Sequence, residues 1–213
     1  MRHDKEKPMS DPDVPVEFLA LHGLAVRKAG SPATVASLLG ADEAQIAAAL
    51  DAAVAAGRAA GAKGTYMVAP AGQAWLIEQY PVVYAEARED GELTAAYERF
   101  EKVNTELLAL FTDWQTMDAG GQRVPNDHSD ADYDRDIIDR LGRLHERAER
   151  VVGTCADAQP RLRRHLERLE EAYDKVLAGD IDYVSGVRID SYHTVWFELH
   201  EDLLRMLGRT RQE

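Results

Sequence analysis

From Val14 onward apolar residues recur at helical spacing, in short alanine-rich runs before residue 64 and in long, heavily charged runs after residue 80. Phe18, Leu21, Leu24 and Ala25 predict a first helix over residues 14–28, closed by Gly30. Ser31-Pro32 is a capping residue followed by proline at a first helical position. It opens a short second helix with Val35, Leu38 and Leu39 inward. Gly40-Ala41-Asp42 makes a turn, and Asp42 caps a third helix that reaches residue 56 with Ile46, Leu50 and Val54 as its apolar face. Residues 58–64 are small, flexible and mildly basic, as one arm of a hairpin would be, and Tyr66-Met67-Val68 between Gly64 and Pro70 reads as a strand. Pro70-Ala71-Gly72 opens the next helix, because proline suits a first turn and cannot sit in a helix interior.

That helix is predicted over residues 71–88, with Pro81 bending or breaking it. Further helices follow over residues 92–114, 133–155, 160–178 and 189–207, each with a stripe of Leu, Val, Ile or aromatic residues opposite its charges. Residues 116–132 read as a polar loop around Gly120-Gly121 and Pro125, with Asp132 capping the helix beyond, and 180–188 as a connection. Short links between the last three helices predict an antiparallel helical bundle. Residues 1–13 mix charges with two prolines and no periodicity, which predicts a flexible arm. The division expected is arm, head over 14–80, and acidic bundle over 81–213. The fold class is mainly α.

Charge sharpens that division. Of the net −13, residues 81–213 hold −11, from 18 Lys and Arg against 29 Asp and Glu, so any nucleic acid must be met by the N-terminal part. A single cysteine, Cys155, excludes an intramolecular disulfide and fits a reducing compartment. The absence of a membrane-length apolar run and of a signal-peptide pattern completes the expectation of a cytoplasmic protein without a membrane partner.

The segment Tyr66-Met67-Val68-Ala69-Pro70-Ala71-Gly72-Gln73 resembles the hydrophobic-Thr-Pro-x-Gly-Arg ending of the wing in MarR- and PadR-like winged helix-turn-helix regulators. Ala69 stands where those proteins often have Thr, and Gln73 where they often have Arg. The resemblance covers the first third of the chain. It implies a winged helix, duplex DNA as partner, and a homodimer formed by helices outside the head. On the third helix only Gln45 suits base reading, while Arg27, Lys28, Arg58 and Lys63 are the candidate phosphate contacts. Glu43 and Asp51 on the same helix repel phosphates, and the remaining outward positions are alanine. The leading function is therefore a dimeric transcriptional regulator binding duplex DNA, with the C-terminal helices as its sensing and dimerisation domain; the alternative is a non-enzymatic accessory protein that uses the winged helix to dock another protein.

In the final helix Ile189, His193, Trp196, His200, Leu203 and Leu207 alternate at spacings of four and three, with Asp190 beside His193; His145 and Glu149 lie four apart on an earlier helix. His145, Tyr192, His193, Trp196 and His200 are accordingly candidates for an effector pocket for a small molecule. The other readings are core histidines titrating near neutrality, or metal ligands; the Glu-x-x-His of dinuclear bundles is missing, and no metal is assigned. The acids of residues 127–134 lack the glycine and closing glutamate of a calcium loop. Arg161, Arg163, Arg164 and Arg168 form a basic patch expected to pair with Glu167, Glu170 and Glu171. No phosphate loop, nucleophile elbow or zinc-helix signature occurs, so neither catalytic residues nor a cofactor are predicted.

Overall fold

The computed structural model describes residues 14–118 and 120–211; the arm expected at 1–13 lies outside them. Over these residues the chain is mainly helical, with two small antiparallel hairpins, and no helix among them is long and apolar enough to cross a membrane. It divides into two compact units. The first comprises the chain through Asp90, Ala158–Arg164 and the residues from Glu198 on; the second comprises Gly91–Asp157 and His165–Phe197.

In the first unit α1 (Val16–Arg27), α2 (Pro32–Leu39) and α3 (Glu43–Ala55) pack against one another. The caps follow the local sequence: the Ser31 hydroxyl accepts from the Thr34 N–H, and the Asp42 carboxylate from the Gln45 N–H. Gly23 lets α2 approach closely, since a Cβ there would lie 2.8 Å from Val35. Lys28, rather than Gly30, takes the positive φ that ends α1. Gly30 instead forms an isolated bridge to Tyr66.

α3 is followed by β1 (Ala59–Ala62) and β2 (Thr65–Val68), joined through Lys63 and Gly64. Both turn residues have positive φ, the two-residue geometry whose twist matches a hairpin. Ile46, Leu50 and Ala53 are the buried residues of α3, and Val54 is exposed. Positions seven and eight beyond Ile46 both suit a helical face, so periodicity alone could not choose between them.

α4 (Pro70–Val83) opens on Pro70 as expected. The chain runs helically through Pro81 and breaks at Tyr84, whose φ of −110° and ψ of 28° separate α4 from α5 (Ala85–Glu89). The break falls three residues beyond Pro81, which sits inside α4 with no N–H to donate to the Ile77 carbonyl.

The second unit starts with α6 (Gly91–Gln115). The expected polar loop contains a second hairpin, β3 (Thr116–Asp118) and β4 (Arg123–Pro125), ahead of α7 (Ala131–Ala158). Its anchor is Asn126, which donates to the Trp114 carbonyl and to Asp134, while His128 Nδ1 also contacts Asp134. Asp130, not Asp132, caps α7, accepting from the Asp132 and Tyr133 N–H groups.

The helix expected from residue 160 begins as a 3-10 turn (Pro160–Leu162) and continues as α8 (Arg163–Leu177). The connection before the last helix holds a short α9 (Asp182–Ser185), and α10 (Tyr192–Leu207) closes the fold. Cys155 on α7 is fully buried, and burial pushes its thiol up to about 11.

Candidate interaction site of the head

The outward side of α3 is built from Glu43, Ala44, Gln45, Ala48, Asp51 and Ala52, all exposed. The hairpin is fixed against it: the Tyr66 hydroxyl donates to Asp51 Oδ1 at 2.7 Å, and the Tyr66 ring lies over Gly61, where a Cβ would sit 3.1 Å away. Exposed Val54 on α3 adds apolar surface, while Met67, next to Tyr66 on β2, is exposed on the other face of the hairpin. An open groove of about 260 Å³ runs here, lined by Asp51, Val54, Gly61, Ala62, Lys63 and Tyr66 among others.

The five residues expected to meet DNA have different fates. Arg58 is held by Glu17, its Nε at 2.8 Å and Nη2 at 2.5 Å from one carboxylate oxygen, and lies 5.3 Å from the Trp75 ring centre. Arg27 is largely buried and pairs with Glu198 at 3.3 Å. Lys28, Gln45 and Lys63 are exposed. Thus two of the four cations face carboxylates of their own unit instead of sharing an open face. Pairs so far apart in sequence, Arg27 with Glu198 and Arg58 with Glu17, leave no local signal.

The pocket candidates also separate. In the second unit His145 Nδ1 meets the Tyr192 hydroxyl at 3.1 Å, and its ring lies 4.5 Å from that of Tyr173. His193 lies against Phe111, and Trp196 stacks on Phe100 and donates to the Asn104 side-chain oxygen at 2.9 Å. His200 belongs to the first unit. Only His145 and Tyr192 are brought together. Asp190 pairs with Arg168 at 3.1 Å. Among the described residues no group of three or more His, Cys, Asp or Glu could hold a metal ion.

The strongest polar cluster was not anticipated. Asp202 is buried and receives both arms of the Arg161 guanidinium, at 2.5 and 2.6 Å. It also accepts from His22 Nε2 at 3.0 Å, which leaves His22 Nδ1 to accept from the Tyr80 hydroxyl at 3.1 Å. Burial raises the Tyr80 hydroxyl to about 12. Arg161 and Arg168, taken from the sequence as members of a surface basic patch, both point inward. The available signals were His22 inside an apolar run and Asp202 on the stripe Val195, Leu199, Asp202, Met206, all four buried.

Comparison with family models, curated proteins and solved structures gives no match.

Burial holds the imidazoles of His22, His145 and His193 below their ordinary value of 6.5, in His22 against the pull of Asp202 and in His145 against Glu149. Of the bundle histidines expected to titrate near neutrality, His145 and His193 are shifted downward. The unfolded chain takes up these protons near 6.5 while the folded chain resists them. Their contribution is therefore complete above that pH and shrinks as pH falls below it. The urea midpoint is expected to drop between about pH 7.5 and about pH 5, and His22→Gln should flatten part of that drop. An unchanged midpoint across that range would contradict the buried neutral state.

Proposed function

We propose that this is an accessory interaction protein whose first unit is a winged helix used to dock another protein through α3 and the adjoining hairpin. The supporting observation is the chemistry of the outward α3 face: alanines, Glu43 and Asp51, beside exposed Val54, with Arg58 and Arg27 engaged by Glu17 and Glu198. Such a face is poor in charge-neutralising power for phosphates and rich in small apolar surface that a protein can cover. The second unit, with 11 Lys and Arg against 22 Asp and Glu, is an acidic helical bundle suited to dimerisation or effector sensing.

The test uses the full chain as bait beside an Ala48→Glu/Ala52→Glu variant. A protein captured by the wild type, resistant to nuclease and lost with the variant is the expected result. Equal capture by both would remove α3 from the docking face.

The second reading is a dimeric DNA-binding regulator. It is favoured by the order of three helices and a hairpin and by the exposure of Lys28, Gln45 and Lys63. It requires retardation of some duplex at low salt, and Lys63→Ala should lower the salt slope by about 0.9 for each copy engaged. Retention of a duplex by the wild type, lost in Lys63→Ala, would replace the docking reading with this one.

A further inference from the structure

We propose that β1 is an open sheet edge that receives an extended segment of another protein, one whose side chains on a single face alternate an apolar residue with Lys or Arg. This rests on the docking reading of the head and names its site and the chemistry of the partner.

The edge follows from backbone bonding. Tyr66 exchanges both of its backbone hydrogen bonds with Gly30, at 3.0 and 2.8 Å. A strand residue sends its N–H and C=O to the same side, so Tyr66 and its register partner Gly61 are a non-bonded pair of the hairpin. Gly61 therefore turns its N–H and C=O away from β2, and neither has a backbone partner among the described residues. Natural edges discourage pairing with charges, prolines or bulges. β1 reads Ala59-Ala60-Gly61-Ala62 and has none of these, and its last three residues are exposed.

The partner's chemistry follows from the groove beside that edge. Alternate side chains of an added strand fall on the face of Val54 and Tyr66, where the Tyr66 ring covers Gly61 and Val54 supplies an apolar wall. Asp51 uses Oδ1 for Tyr66, and among the described residues its other oxygen makes no bond and no ion pair with Lys63, which also lines the groove; that oxygen calls for a cation two residues along the incoming strand. A second copy's β1 offers only Ala and Gly and would leave the groove unfilled. A helix cannot present the paired donor and acceptor that Gly61 requires, and phosphates would meet Asp51.

The full-length protein, isotopically labelled, is titrated with the synthetic peptide Ser-Thr-Val-Thr-Lys-Thr-Ser and its Val-to-Ile and Lys-to-Arg analogues. The Gly61 amide is expected to shift saturably and to exchange more slowly with solvent. Val54→Lys, at an exposed position, should weaken binding by about tenfold, the effect of roughly one lost apolar contact. Asp51→Asn should weaken the Lys peptide but not its Lys-to-Thr analogue. Unchanged Gly61 exchange with all three peptides, or equal binding by Val54→Lys, overturns the proposal. So does protection of Gly61 that depends on protein concentration without peptide, which would assign the edge to a second copy. If the α3 variant loses its captured partner while Gly61 remains unmoved, the docking reading survives and the edge is rejected. If α3 loses nothing, the docking reading itself has failed.

Discussion

Replacing Asp202 by alanine is expected to lower stability by about 3–5 kcal/mol, the range for stripping one partner from a buried ion pair. The arrangement leaves little room for compensation. Arg161 is 7% exposed and directs two nitrogens at this carboxylate, and His22, fully buried, donates to the same group. Without Asp202 a buried guanidinium keeps its charge and His22 loses its acceptor. The change should appear as a lower urea midpoint with an unaltered slope. Asp202→Leu combined with Arg161→Met removes both charges together and should recover much of the loss, because desolvation of the pair offsets much of its attraction. A single-variant loss below about 1 kcal/mol would show that water or a rearranged carboxylate satisfies Arg161 instead.

Gly72→Ala is expected to cost about 3 kcal/mol, at the upper end for overpacking. A Cβ at this position would lie 2.0 Å from the Arg58 carbonyl oxygen and 2.9 Å from Val68. The first contact is with backbone, so no rotamer change relieves it, and the same oxygen accepts from the Ala69 N–H that ties the end of the hairpin to its start. Gly153→Ala is the matched control: it lies within α7 with nothing within 4 Å of the added carbon. That substitution should gain about 0.5–1 kcal/mol from lower chain entropy. Thermal melts of the two variants compare backbone contact with helix propensity; equal melting temperatures would contradict the close approach at Gly72.

The head was legible where its determinants are local. Ser31, Asp42, Pro32 and Pro70 act within three residues of themselves, and the positions they announce are those at which α2, α3 and α4 begin. The hairpin of Thr116–Asp118 and Arg123–Pro125 was not legible, since strands of three residues carry too little alternation to stand out from a polar loop. The fates of the charged side chains were illegible for another reason. Arg161 and Asp202 are 41 residues apart, and Arg58 and Glu17 also 41 apart, so their neutralisation exists only in the folded chain. A count of cations along the sequence consequently overstated what the head can offer a phosphate backbone.

The lone thiol has a practical consequence. Because Cys155 is sealed within α7 and resists ionisation, alkylating reagents at neutral pH can reach it only while its surroundings open. Its labelling rate is thus a native clock for opening of the second unit, with no competing sulfhydryl in the chain and no engineered probe needed.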